Sequence, residues 1–535
     1  MSSPSSSPPP SAPASTAPPP PAPPAPAPPP PAPPSRTRAF STLFLIEMWE
    51  RFGYYGMQVL LVVFMVEYLG FPEARANLTW GAFAAMVYAS PLLGGWVGDR
   101  LLGARRTTTL GAVILMTGYA LLSVPWRQVV SSTWAGPLLF FSMGVIAIGA
   151  GLFKPNPQFL VSRLYEGDRS RLDGAFTLYY MAVNIGAFIS QSLTPWIRVH
   201  LGWHWAFLAC ALGLVAGILQ LLVQRRLLAH LGSEPDFRPL RLAHLGATVI
   251  GALVLAVLIA IIIQSVSIAR GVVYASGAAM LVLFGVLIGR GDRAERSGLI
   301  ATLLLTLQGM LFFVFYQQMS TSLTLYALHN VRLDFLGYHV PPEQFQVLNP
   351  FWIAVASPLL AMLYGSLGRR GRDPSVAGKF AWGFVLLALG FFVFAISGRF
   401  ASAGRVSPWF MVWGYLLQSV GELLISGLGI AMVARYIGPA RRGLMIGAWF
   451  LASGIAQYIG SFVANYASVP AGVTQASATL PLYTRLFEIL GWVAVAGVAA
   501  ALLMLPLLRR LDAGHGGAAA ALGSPGAAAD LAGSP

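Results

Sequence analysis

Runs of about twenty apolar residues recur along this chain, and each is long enough to carry a helix across the hydrocarbon of a bilayer. They fall near 41–69, 79–98, 107–126, 134–159, 172–196 and 202–224, then at 245–266 and 270–290, then at 299–328, 348–367, 378–397, 406–434, 442–466 and 484–508. Lipid offers the backbone no hydrogen bonds, so runs of this length must be helical. A basic, proline-containing stretch (Arg225, Arg226, Pro235, Pro239) closes the first six runs, two Val/Ile/Leu/Ala/Gly runs follow, and six more complete the set. The expected fold is an all-α polytopic membrane protein with two six-helix bundles and two extra helices between them, fourteen spans in all. The predicted boundaries are a first bundle over 39–226, a linker with the extra helices over 227–298, a second bundle over 299–510, and tails over 1–38 and 511–535.

Charge supports this reading. Charged residues make up only 10% of the chain, against about 25% in soluble domains. The net charge of +15 is spread in short clusters between apolar runs rather than along one stripe, so it reads as topology and not as nucleic-acid binding. With the N-terminus and alternate loops assigned to one side, 24 of the 34 lysines and arginines fall there and 8 on the other, while Arg51 and Lys154 lie within spans. By the positive-inside rule both termini are expected in the cytoplasm.

Neither tail can bury a core. Residues 1–38 hold 18 of the 39 prolines, and the end of the chain from about Leu511 is Gly- and Ala-rich; both read as disordered. No apolar h-region precedes Ala39, so the first tail does not read as a cleaved signal peptide. Its polyproline could recruit an aromatic-grooved partner, but composition favours an inert tether. The single cysteine, Cys210, excludes an intrachain disulfide and a cysteine metal cluster, and reads as a small buried hydrophobe.

Several charged groups stand inside the apolar runs, where each costs about 2.5 to 3.5 kcal/mol on insertion scales. Glu47, Glu50, Arg51, Tyr54, Tyr55 and Gln58 share one helical face by their spacing, which must look into a polar cavity. Lys154, in GLFKPNPQF, is followed by Pro155 and Pro157, which break or kink the helix and free backbone carbonyls near the ammonium. Glu422, in QSVGELLISGLG, is the one acid in the middle of a second-half span. Structural ion pairing is one reading of these groups. Function is the other: three carboxylates against two cations leave a formal charge of −1, which one proton would neutralise. His200, His204, His230, His244, His329, His339 and His515 all fall in loops, tails or span ends, so a carboxylate must do any proton work within the bundle. No nucleophile–base pair or metal-ligand cluster appears in the spans, so neither an enzyme nor a metal site is expected.

EMWERFGYYGM, Glu47 to Met57, resembles the ExxERFxYYG signature of the proton-dependent oligopeptide transporter (POT/PTR) family of the major facilitator superfamily. GGWVGDRLLGARRT (Gly94 to Thr107) is similar to the superfamily's loop between helices 2 and 3, in which Asp99 can cap or pair with Arg. GLFKPNPQFLVSRLY, FTLYYMAVNIGAF, VLNPFWIAVASP and LMIGAWFLASG resemble the family's helix 4, 5, 8 and 11 segments, and the likeness covers roughly residues 40 to 508. The resemblance implies proton-coupled symport of di- and tripeptides by alternating access in an inner membrane, with no cofactor beyond the coupling proton. It implies a peptide site formed by Tyr54, Tyr55, Tyr88, Lys154, Asn184, Asn349, Glu422, Trp449 and Ser453. Glu422 would take the amino terminus, and Lys154 with Asn184 the carboxylate or backbone. Proton coupling would run through Glu47, Glu50, Arg51 and Lys154.

Two departures bear on the mechanism. The family carries an Arg seven residues after the signature Arg and a Glu in helix 7; here Gln58 and, in FFVFYQQMSTSL, Gln317 stand in their places. The resemblance implies that these two face each other as an altered gate pair. Losing one charge alone would strand the other at a cost of about 3 to 5 kcal/mol, so paired neutral amides are the physically consistent replacement. YQQMST also resembles the plant branch, whose substrates extend to nitrate and small metabolites. Two alternatives therefore stand beside peptide symport: a transporter of nitrate or an organic anion, or a uniporter or exchanger without proton coupling. A non-transporting nutrient sensor is a further one.

Overall fold

The computed structural model describes residues 35–125, 132–370, 376–425, 436–437, 439–470, 472–473 and 475–522. The first half comprises α1 (Arg36–Val63), α2 (Glu73–Ala89), α3 (Pro91–Arg100), α4 (Ala104–Leu122), α5 (Ser132–Phe153), α6 (Pro155–Leu164), α7 (Arg169–Leu201) and α8 (Trp203–Val223). The linker carries α9 (Leu242–Gln264) and α10 (Val266–Arg290). The second half comprises α11 (Arg293–Tyr316), α12 (Ser322–Asn330), α13 (Leu348–Arg369), α14 (Val376–Ile396), α15 (Trp409–Ile425), α16 (Pro439–Ala464) and α17 (Ala476–Leu522). The one sheet among the described residues is a two-stranded hairpin, β1 (Asp334–Phe335) with β2 (Tyr338–His339), pairing Asp334 with His339 and Phe335 with Tyr338.

Ten helical stretches among the described residues are long and apolar enough to cross a membrane. The expected runs that fall outside that set are helical too, in α1, α4, α7 and α15, which are shorter or more polar. Two boundaries differ from the sequence reading, and a third lies partly outside the described residues. Arg36 already begins α1, whereas the rest of the proline-rich tail, residues 1–34, lies outside the described residues. At the other end α17 runs on to Leu522 instead of ending near Leu511; the alanines of GGAAAAL carry high helix propensity that outweighs the two glycines. Of the run at 406–434, residues 426–434 lie outside the described residues.

Two expected spans are broken at the positions that matter below. Lys154 separates α5 from α6, because Pro155 and Pro157 lack the N–H groups that would continue the ladder and suit the first turn of a new helix instead. A tight turn over Gln317–Ser320 separates α11 from α12. In the first half, α1 packs against α7 and α8, and α4 against α5. In the second, α14 packs against α15 and α17, and α11 against α16. The linker helices divide between the halves: α9 lies on α5, α10 on α11 and α16.

The principal contact between halves is α2 against α16. Glycine sets its spacing: a Cβ on Gly81 would come within 2.5 Å of the Ser461 Cβ, and one on Gly454 within 3.0 Å of the Ala85 carbonyl oxygen. At one end of this contact lies a polar seam. The Glu73 carboxylate accepts hydrogen bonds from the Val469 N–H (2.8 Å) and the Tyr483 hydroxyl (3.2 Å) and lies 2.6 Å from His329 Nε2. Arg198 Nε and Nη2 donate in a fork to Glu343, at 2.7 and 2.8 Å. Asn77 donates to Asn465, and Asn465 to the Ala74 carbonyl. Cys210 is buried, its thiol against Gly56.

Candidate functional site

Below the seam the two halves enclose a polar cavity. From α1 it is lined by Glu50, Arg51, Tyr54, Tyr55 and Gln58, which is the charged face given by the helical spacing. Trp80 and Tyr88 line it from α2, Lys154 from the α5–α6 break, Tyr316 and Gln317 from the α11–α12 break, and Gln457 from α16. The breaks are what bring Lys154 and Gln317 to the cavity wall, as broken helices do at transporter midplanes.

Arg51 is the electrostatic centre of α1. Its Nε donates to Glu47 Oε1 at 3.0 Å and lies 2.6 Å from Glu50 Oε2, with all three side chains buried. The two carboxylates are held differently. Glu47 also accepts a hydrogen bond from the Tyr179 hydroxyl on α7, whereas neither oxygen of Glu50 accepts one in hydrogen-bond geometry. Glu47 is thus locked by two donors, and Glu50 is held by proximity to a shared guanidinium.

Lys154 makes no ion pair among the described residues. Its Nζ lies 4.9 Å from the centroid of the Tyr88 ring and 5.6 Å from that of Phe450, two aromatic faces that stabilise a cation. On α15, in the other half, Glu422 is equally without a charged partner among the described residues; like Asn349 it stands behind the residues that line the cavity and is not one of them. It accepts from Asn349 Nδ2 at 2.7 Å, and the same amide reaches Ser419 at 3.1 Å. A buried carboxylate with one neutral donor and a half-buried ammonium with no acceptor among the described residues therefore stand on opposite halves.

The remaining sequence-derived positions are dispersed. Tyr54 and Tyr55 stack edge-to-face at 5.5 Å. Asn184 donates to the Tyr180 carbonyl and lines an apolar crevice between α7 and α13 instead of the polar cavity. Trp449 packs edge-to-face on Phe313 at 6.2 Å and over Gly309, and the Ser453 hydroxyl donates to the Trp449 carbonyl. Neither Trp449 nor Ser453 is among the residues lining the polar cavity.

The Gln58–Gln317 pairing requires correction. Both line the cavity, but their amides do not bond each other. Gln58 Nε2 donates to Ser320 Oγ at 3.0 Å, across the halves, and Gln317 Nε2 donates to Ser461 Oγ at 2.9 Å, within its own half. Each amide has a hydroxyl nearer to hand, and the tight turn at 317–320 sets Ser320 in front of Gln58. The seam is closed elsewhere, by Glu73 with His329 and by Arg198 with Glu343. His329, read from the sequence as a span end without a part in the bundle, is therefore a cross-half contact.

Sequence reasoning missed Trp80, Tyr316, Gln457 and Tyr179, which are aromatics and an amide set among apolar neighbours. Gln457 follows from its partners only in three dimensions, whereas Trp80 shares a helical face with Ala84 and Tyr88 at i, i+4 and i+8, a spacing that carries the signal.

The chain belongs to the POT family, whose pattern it matches over residues 105–480. It is 42% identical over 475 residues to dipeptide and tripeptide permease B of Salmonella typhimurium, covering 89% of this chain and 96% of that protein. The permease of the same name from Yersinia enterocolitica is also 42% identical, with 89% and 95% covered. Among solved structures, tetrameric PepTSo2 superposes with a TM-score of 0.80 at 48% identity, covering 89% of this chain and 99% of that one. A bacterial homologue of the human drug peptide transporters PepT1 and PepT2 superposes with a TM-score of 0.80 at 49% identity, covering 89% and 100%.

Proposed function

We propose that this protein is a proton-coupled symporter of di- and tripeptides that works by alternating access in the inner membrane. The observation that carries the reading is the unpaired Lys154 on one half and the unpaired Glu422 on the other. Burying a charge without a partner costs several kcal/mol, and a zwitterion offers both missing partners at once. Glu422 takes the peptide's amino terminus, oriented by Asn349, and Lys154 takes its carboxylate between the rings of Tyr88 and Phe450. Tyr54, Tyr55 and Tyr88 line the space between, and Asn184, Trp449 and Ser453 shape its approaches. The relatives named as dipeptide and tripeptide permeases support the substrate class.

The chain crosses the bilayer fourteen times with both termini in the cytoplasm, in two bundles over 39–226 and 299–510 and a two-helix linker over 227–298; the bias of lysine and arginine supports this orientation. The polar seam then faces outward, and the state described is closed to the outside. Glu50 is the proton acceptor, since it leans on the shared Arg51 alone, whereas Glu47 also accepts from the Tyr179 hydroxyl. Protonation frees Arg51 from one of its two carboxylates and loosens α1 against its neighbours. The proton is the coupling ion and no cofactor takes part.

Ligand-induced stabilisation tests the substrate assignment, because a ligand shifts stability by RT ln(1 + [L]/Kd). Dialanine raises the Tm of the purified protein, N-acetyl-dialanine does so much less, and nitrate leaves it unchanged. Stabilisation by nitrate or a small organic acid with no response to dialanine would sink the peptide reading.

A further inference from the structure

The stretch between α8 and α9 is not a slack loop. It folds back on the start of α4, where Gly103, with φ at +97°, leaves room for the Asp236 carboxylate. Asp236 accepts from the backbone N–H of Arg105 (3.1 Å) and of Ser233 (3.2 Å), and the Ser233 hydroxyl accepts from the Ala104 N–H (3.0 Å). In return Arg105 donates to the carbonyls of Leu228 and Asp236, and Arg106 to those of Pro235 and Arg238.

This docking leaves a crevice walled by Arg105, Arg106 and Arg225 and floored by Leu160, Leu221 and Leu222. Asp236 is the one acid there, and its side chain is fully buried and already engaged. The crevice thus carries three guanidinium charges against one carboxylate. Arg105 Nε, although buried, donates to nothing, and Arg225 is exposed and makes no ion pair or hydrogen bond among the described residues. Immediately beside it α8 ends on the exposed apolar residues Leu219, Leu222 and Val223. Guanidinium groups above an aliphatic helix face match a phosphodiester with acyl chains below it.

We propose that this crevice binds the phosphate of an anionic phospholipid such as phosphatidylglycerol, in the leaflet that meets the basic ends of α4 and α8. Arg225 supplies the free guanidinium, and the folded linker holds the site open.

The test uses the full-length protein in uncharged detergent, with lipid binding followed by native mass spectrometry and Tm. Phosphatidylglycerol binds and raises the Tm, while phosphatidylcholine and inorganic phosphate at the same concentration do not. Arg225→Gln weakens phosphatidylglycerol binding about five-fold, as expected for one basic residue at a lipid surface; Arg225→Glu weakens it further, and Arg225→Lys retains most of it. Arg225 bonds nothing among the described residues, so these variants fold. Equal binding of phosphatidylcholine, or unchanged affinity in Arg225→Glu, overturns the site, and stabilisation by inorganic phosphate alone overturns the lipid assignment.

Discussion

At the scale of residues, α1 holds two buried carboxylates with one guanidinium. Arg51→Met leaves both uncompensated and lowers stability by about 3 to 5 kcal/mol, read as a fall in Tm; Glu50→Gln, which keeps the Arg51–Glu47 bond, costs much less. Equal losses in the two variants would show that Arg51 does not anchor the pair. Charge restored to the neutral positions behaves in the same way. Gln58→Arg and Gln317→Glu each place an unpaired charge against the cavity wall, so each single variant melts lower than the double variant. If the double variant is no better than the worse single, the two positions do not communicate. The face carrying these groups was legible in the sequence, because charges in an apolar run obey helical spacing whatever they touch. Their partners were not. Nothing local distinguishes the serine that Gln58 meets, 262 positions away, from any other.

At the scale of elements, apolar runs predicted nearly every helix, while the breaks were only half visible. The prolines after Lys154 announce the end of α5. No proline or glycine marks the turn at Gln317–Ser320, so that break lies in tertiary packing and not in local propensity. The linker docking was equally hidden: Ser233 and Asp236 bond each other locally, but the contacts that dock the linker are to α4. The contact of α2 with α16 yields a direct prediction. Gly81→Val drives a side chain into Ser461 and Tyr458 and prises the halves apart at the seam. A cysteine placed at Gln58 should then react with a membrane-impermeant maleimide several times faster than in the Gly81 background. The native Cys210 is buried and adds little signal. An unchanged rate would mean that the α2–α16 contact does not hold the seam.

At the scale of the whole molecule, two bundles meet around a cavity whose charges do not all pair within the protein. The helix 1–helix 7 positions carry no salt bridge here, and the halves are joined by Glu73–His329 and Arg198–Glu343. Neutral amides in the old position do not disable the cycle as long as other cross-half pairs close it. The fold and family were legible because the α1 signature and the six-two-six pattern of runs are properties of the chain itself. The polar seam was not, because it joins ends of helices that the sequence leaves far apart. In the cycle we propose, Glu50 couples proton entry to a zwitterion held between Lys154 and Glu422. The most direct test is dialanine uptake into proteoliposomes under an imposed inward proton gradient, compared with counterflow without a gradient. Glu50→Gln should abolish gradient-driven accumulation while retaining counterflow, and Lys154→Ala should abolish both. Gradient-driven accumulation that survives both substitutions would rule out coupling through Glu50 and substrate binding at Lys154.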